Sequence, residues 1–168
     1  MIVALTGTPG TGKSSVAKFL KKQGFDIWDL NKSIVNDRLF KGYDHKRKSY
    51  IADLNKVTKY YREHFRSAEN LVIDGHLAHM LNADIVIVLR CKPKQLEKRL
   101  EKKRWNSVKI KENVEAEMIS IISYEARKRH EKVFDVDTTN KTPKQVAGVV
   151  ENILKGKGSN FSRQIEWL

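Results

Sequence analysis

Gly7-Thr8-Pro9-Gly10-Thr11-Gly12-Lys13-Ser14 matches G-x-x-x-x-G-K-[ST] at every fixed position. A chain that carries this motif is constrained to run from a strand into a glycine loop and then into a helix. The flanks agree. Ile2-Val3-Ala4-Leu5 ahead of the loop is apolar and β-prone, and Ser15 to Gln23 behind it is amphipathic with helical spacing. Glycines let successive backbone N–H groups turn inward around an anion. The helix that starts at Lys13-Ser14 aims its positive end at the same point. Lys13 has the reach for β- and γ-phosphates, and the Ser14 hydroxyl is a ligand for Mg²⁺. The loop predicts a nucleoside triphosphate site.

Downstream, strand and helix signals alternate. Phe25 to Trp28 predicts a strand after the helix stop at Gly24, and Lys32 to Phe40 a short helix ended by Gly42. A basic turn follows, Asp44-His45-Lys46-Arg47-Lys48, then a helix over Ile51 to Arg66 with Leu54, Val57, Tyr61 and Phe65 facing inward. Leu71 to Asp74 and Ile85 to Leu89 predict buried strands. Gln95 to Lys103 and Ile110 to His130 predict helices, separated by the Arg104-Trp105-Asn106-Ser107 break. Val133 to Val136 is a last strand. Thr142-Pro143 opens a closing helix with Val146, Val149, Val150 and Ile153 on one face. This alternation predicts an α/β fold: a five-stranded parallel sheet covered by helices on both faces. With no repeat and no low-complexity linker, residues 1–155 form one domain. The tail, 156–168, is expected to be mobile unless Trp167-Leu168 docks.

Charge adds a second constraint. Lys and Arg total 33 against 20 Asp and Glu, a net charge of +13. That surplus suits contact with a larger polyanion such as RNA or a ribonucleoprotein; it equally suits the lysine-rich solvated surface of a heat-adapted protein. In 168 residues no apolar run is long enough to span a membrane, and the first strand begins too near Met1 to leave room for a leader. The single cysteine, Cys91, cannot form an internal disulfide, and no Cys/His spacing suggests zinc. The expected address is the cytoplasm, or the nucleus if eukaryotic.

Asp74 ends an apolar strand, where a carboxylate holds Mg²⁺ directly or through water; the alternative is a turn or helix cap. His76, two residues on and beyond the Gly75 spacer, either positions a water near the phosphates or sits in a loop.

Together these segments resemble a family, the nucleoside-monophosphate kinases, and within it the small atypical adenylate kinases of archaea and eukaryotic nuclei, the isoenzyme-six or coilin-interacting nuclear ATPase type. The resemblance rests on the glycine loop, Gly42-Tyr43-Asp44, Val72-Ile73-Asp74-Gly75-His76, Val88-Leu89-Arg90, Arg99-Leu100-Glu101, Arg104-Trp105-Asn106, Glu112-Asn113-Val114 and Asn140-Lys141. It implies a P-loop NTPase fold with a short lid. It also implies that Gly10, Gly12, Lys13, Ser14 and Ser15 hold ATP, with Ser14 and Asp74 on Mg²⁺. Residues 31–53, ending at Asp53, would bind the monophosphate; 103–113 would be the lid, with Arg104 on the ATP phosphates; Lys141 would line the adenine pocket. Lys13, Asp74, His76 and Arg104 would be catalytic, in an in-line transfer from ATP to AMP. The family also implies ATPase activity and help in maturing the small ribosomal subunit, through transient binding of one of its proteins. Gly42-Tyr43-Asp44 argues against a kinase of another small acceptor. One segment departs from the family. Where it carries Gly-Asp-Leu-Ala-Arg, this chain reads Asn31-Lys32-Ser33-Ile34-Val35, without the arginine that would grip the acceptor phosphate. Arg38, three residues further on the same predicted helix face, either replaces it or is a surface residue.

Overall fold

The computed structural model describes residues 1–168. Its centre is a five-stranded sheet in the order β2-β5-β1-β6-β7, parallel throughout. The strands are β1 (Ile2–Thr6), β2 (Asp26–Asp29), β5 (Leu71–Asp74), β6 (Ile85–Arg90) and β7 (Val133–Asp137). Helices α1 (Lys13–Lys22), α2 (Leu30–Asn36), α3 (Leu54–Phe65), α4 (Pro93–Lys102), α5 (Ser107–Met118), α6 (Ile121–Arg129) and α7 (Pro143–Leu154) surround it, and β3 (Phe40–Asp44) and β4 (Ser49–Ala52) form a separate antiparallel hairpin. No helix is long and apolar enough to cross a membrane.

Side chains alternate across a strand, so each apolar run feeds two cores. Val3 and Leu5, with Val72, Ile87, Leu89 and Val136, pack under α1 and α7 through Val16, Leu20, Val146, Val150 and Ile153. Ala4, Ile73, Val86, Val88 and Val133 face the opposite layer, where Leu30, Val57, Tyr61 and Ala126 cover them. Trp28 closes the edge of that layer, its ring centroid 4.7 Å from Phe65. The chain leaves β1 to make β2, returns to β5 beside β1, then crosses to β6 on the other side. The glycine loop therefore opens at the carboxyl end of the central strand, between diverging connections, where open α/β sheets bind ligands.

The expected elements are present, with four corrections. The helix expected over Lys32 to Phe40 ends at Asn36. There Leu39 N–H bonds to Ile34 O and Arg38 N–H to Val35 O, and Arg38 turns left-handed (φ 54°), a helix stop of the Schellman type. Gly42 is thus no helix terminator but part of β3. The 44–48 turn is the tip of a hairpin held by cross-strand aromatic contacts, Phe40 and Tyr50 at 4.4 Å and Tyr43 and Tyr50 at 5.0 Å.

Ile51 belongs to β4, and α3 starts at Leu54 because Asp53 caps it, accepting from the N–H groups of Asn55 and Lys56. Leu54, one residue past that cap, is exposed and not in the core. The long helix expected over Ile110 to His130 is two helices, broken where Ser120 adopts a left-handed backbone (φ 57°). Residues 156–168, expected to be mobile unless Trp167-Leu168 docks, pack back, and Trp167 is the residue that docks. Phe161 joins the α1/α7 core, and Ile165 and Trp167 bond to buried groups of the domain, leaving Leu168 exposed.

Candidate active site

The loop between β1 and α1 takes its shape from three glycines at φ 139° (Gly7), 92° (Gly10) and 101° (Gly12). Two have no room for a side chain: a Cβ on Gly7 would sit 2.4 Å from Leu89 O, and one on Gly10 2.8 Å from Leu100 Cδ2. Lys13 folds across the loop, its Nζ donating to Gly7 O at 2.7 Å and Thr8 O at 3.1 Å. Burial pulls its pKa down to about 8, with Lys103 lowering it further and Asp74 and Glu117 opposing. Above that pH the free loop loses its central cation, whereas bound phosphates restore it. Binding of MgATP at pH 8.5 to 9 is therefore expected to take up a proton. Calorimetry in buffers of different ionisation enthalpy measures this directly; uptake no greater than that of ATP itself would mean Lys13 stays charged in the free protein.

Asp74 stands at the end of β5, in register with Leu5 of β1 and Asp29 of β2. Burial raises its pKa, while the Ser14 hydroxyl and Lys13 draw it back and Asp29 pushes it up. A buried carboxylate beside a hydroxyl, at the mouth of a phosphate loop, is an oxygen-only donor pair. It fits Mg²⁺, which takes one or two protein oxygens and keeps the rest of its shell for water and phosphate. His76 lines the same cavity. Burial, reinforced by Lys13, His79 and Lys109, holds its pKa down to about 4. In the nucleotide-free protein the imidazole is therefore neutral through the physiological range and able to orient a water. Its backbone is tied to β1, since the Thr6 hydroxyl lies 3.1 Å from His76 O.

A cavity of about 740 Å³ opens from the loop between α2, the hairpin and α5. Lys13, Arg47, Lys48, Lys103 and Lys109 bring positive charge to it, Ile34, Val35, Tyr50 and Trp105 bring apolar surface, and Glu112 is its one acid. Arg47 spans the opening. It donates to both carboxylate oxygens of Glu112 at 2.7 Å and to Asp44 at 2.6 Å, joining the hairpin tip to α5. That arginine holds the pKa of Glu112 and Asp44 below their ordinary values.

The structure brings Gly10, Gly12, Lys13, Ser14, Ser15 and His76 to this cavity, with Asp74 against Lys13 and Ser14. Four other candidates fall elsewhere. Arg104 is exposed at a left-handed turn (φ 56°), and its neighbours Lys103 and Trp105 line the cavity instead. Arg38 is exposed beyond the end of α2, so the helix-face argument for it fails. Asp53 serves as the cap of α3. Lys141 donates to Asp137 O at 2.8 Å in the β7–α7 turn. Arg47 and Lys48 fall inside the 31–53 segment and Lys103 and Lys109 inside the 103–113 lid, but no pattern in the sequence singled these four out within those ranges.

Strand order, loop and cavity define a P-loop phosphotransferase-type nucleotide site on a doubly covered parallel sheet. The AAA domain family matches residues 3–120, and the chain belongs to it. It belongs equally to a family of archaeal proteins that carry the name "Putative adenylate kinase". The Methanosarcina acetivorans protein is 41% identical over 173 residues, covering 99% of this chain and 92% of its own length. That of Pyrococcus furiosus is 39% identical over 171 residues, covering 99% and 91%. Among solved structures, deoxyadenosine kinase from M. mycoides, with dCMP and dCDP bound, superposes with a TM-score of 0.60 at 18% identity. It covers 93% of this chain and 100% of that one, a likeness of fold.

Proposed function

We propose that this protein is a nucleoside monophosphate kinase that transfers the γ-phosphoryl group of ATP to AMP or a related monophosphate, giving two diphosphates. The observation that carries this reading is the shape and charge of the cavity. One end is the phosphate loop. The other is a second cationic surface, Arg47 and Lys48, set against apolar Ile34, Val35 and Tyr50, as a second nucleotide requires. The family name its relatives carry supports the same reading.

In this mechanism the loop amides and Lys13 hold the β- and γ-phosphates. An oxygen of the acceptor phosphate attacks the γ-phosphorus in line, and the bond to the β–γ bridging oxygen breaks, leaving ADP. Lys13 and Lys103 stay with the charge as it moves; Lys103 takes the part expected of Arg104. Ser14 and Asp74 would hold Mg²⁺, which would supply neutralisation of the phosphoryl oxygens.

Arg47 is the acceptor clamp in place of Arg38, exchanging Glu112 for the monophosphate, since a guanidinium fork fits either oxyanion. Arg47→Ala is expected to raise KM for AMP by about tenfold or more and KM for ATP far less. Equal changes in both constants would remove Arg47 from the acceptor site.

The net charge of +13 supports a second reading, an ATPase acting on a ribosomal precursor, with water near His76 replacing the acceptor; a basic small-subunit protein as partner would need an acidic patch instead. One experiment separates the two. Pure protein is incubated with Mg²⁺ and ATP, with and without each monophosphate, and products are followed by chromatography. ADP formed much faster with a monophosphate present establishes the kinase. Phosphate released at a rate indifferent to every monophosphate establishes the ATPase and makes transfer to AMP residual.

A further inference from the structure

The C-terminal residues reach the phosphate loop through a single buried carboxylate. Trp167 Nε1 donates to Glu117 Oε1 at 3.0 Å. The same oxygen accepts from Arg90 Nε at 2.8 Å and Cys91 N–H at 3.1 Å, while Oε2 accepts from the Thr8 hydroxyl at 2.7 Å. Thr8 belongs to the loop, and its carbonyl accepts from Lys13 Nζ at 3.1 Å, Thr11 N–H at 3.2 Å and the Thr11 hydroxyl at 2.8 Å. Glu117, Thr8 and Arg90 are each at most 2% exposed.

Ile165 adds a second anchor. Its carbonyl accepts from Arg90 Nη1 at 2.9 Å and Ser120 Oγ at 3.1 Å, and its N–H donates to Asp135 Oδ2 at 2.9 Å. The indole also lies over the Arg90 guanidinium, 5.6 Å from its carbon to the ring centroid.

We propose that Trp167 is a positioning residue of the nucleotide site: through Glu117 the C-terminal segment sets where Thr8, and with it Lys13, stands in the phosphate loop. A carboxylate has about four acceptor positions, and Glu117 has four donors from three separate segments of the chain, three of them on Oε1. Taking away the indole N–H removes one of the three donors crowded on Oε1, and Glu117 re-centres on the donors that remain. The Thr8 hydroxyl follows, because Glu117 is its acceptor. The proposal rests on the loop being a nucleotide site, not on the identity of the acceptor. Anything that draws residues 165–168 off the domain would then loosen the grip on ATP.

The test compares Trp167→Phe, Trp167→Ala, Thr8→Val and the pair Trp167→Phe/Thr8→Val. Phenylalanine keeps an aromatic ring near Arg90 and loses the donor with only part of the indole's apolar surface, so the folded protein is retained. Its Kd for MgATP by calorimetry is expected to rise about tenfold, with melting temperature close to wild type. Thr8→Val should rise similarly, and the pair no further than the worse single change, because both cut one path. In the nucleotide-free protein, hydrogen exchange at the Thr11 amide should quicken in Trp167→Phe. Wild-type ATP affinity in Trp167→Phe, or fully additive losses, would overturn the proposal. So would an unchanged Thr11 exchange rate alongside a lowered melting temperature in Trp167→Ala, which would reduce the segment to a structural anchor. The exchange readout needs no nucleotide, so failure of wild-type protein to bind MgATP would count against the nucleotide site and leave the coupling to be decided by exchange alone.

Discussion

Replacing Lys13 with methionine is expected to lower phosphoryl transfer from ATP by at least about a hundredfold, the scale of removing one preorganised charge from a reacting phosphate. It is expected to do so without unfolding the protein. The folded pKa of Lys13 is about 8 against an ordinary 10.5, so its charge is a cost to the folded state. The sign follows from proton counts. Below pH 8 Lys13 is charged folded and unfolded, and the full cost, on the order of 3 kcal/mol, is present. Between pH 8 and 10.5 the unfolded chain binds more protons, so stability rises with pH and the cost disappears. Methionine keeps the stem and removes the charge, although Gly7 O loses a donor. The variant should therefore melt at or above the wild-type temperature at pH 7, with the difference shrinking toward pH 10. Steady-state rates and denaturant melts at both pH values measure this. Retained turnover would mean the loop is not where the chemistry occurs.

The second large effect is expected at Arg90. Its guanidinium donates to Glu117 Oε1, Glu117 O, Asp135 Oδ2, Ser120 Oγ and Ile165 O, all at 2.8 to 3.2 Å. Arg90, Glu117 and Asp135 are each 2% exposed or less. Arg127, which also bonds Asp135, is the only other cation of the group. Arg90→Met leaves Glu117 with no ion partner and Asp135 with only the partly exposed Arg127, and breaking a buried pair by removing one partner typically costs about 3–5 kcal/mol. Urea unfolding should show a loss of that order. A loss under about 1 kcal/mol would mean the carboxylates find protons or water at little expense. Because Glu117 carries Thr8, the surviving folded fraction should also bind ATP more weakly, a consequence the Lys13 variant shares by a different route.

The loop was legible because its function is local. Eight consecutive residues encode their own backbone, and the glycine positions are those where a positive φ or a close approach excludes a side chain. The sheet was legible because strands buried on both faces must be apolar at every position. Residues 40–52 were not, since their pairing depends on Phe40, Tyr43 and Tyr50 meeting across a turn, and the helix pattern of Lys32 to Phe40 runs into the start of the stretch. The expected clamp and lid arginines lie outside the cavity lining for a related reason. Arg38 and Arg104 both stand at left-handed residues, where the chain reverses and helical spacing no longer says which way a side chain points.

What the sequence alone determined is therefore the α/β class, the position of the phosphate loop and the pairing of Lys13 and Ser14 with an aspartate at a strand end. These follow from spacing within single elements. Tertiary structure alone decided which cations face the cavity and what holds the loop. Of 33 lysines and arginines, Arg47, Lys48, Lys103 and Lys109 join Lys13 there because the hairpin, the α4–α5 turn and α5 fold over it. Glu117 meets Thr8 across 109 positions of chain, and Trp167 meets Glu117 across 50. Contacts at that separation exist only once the sheet has brought their elements together, and no local pattern records them.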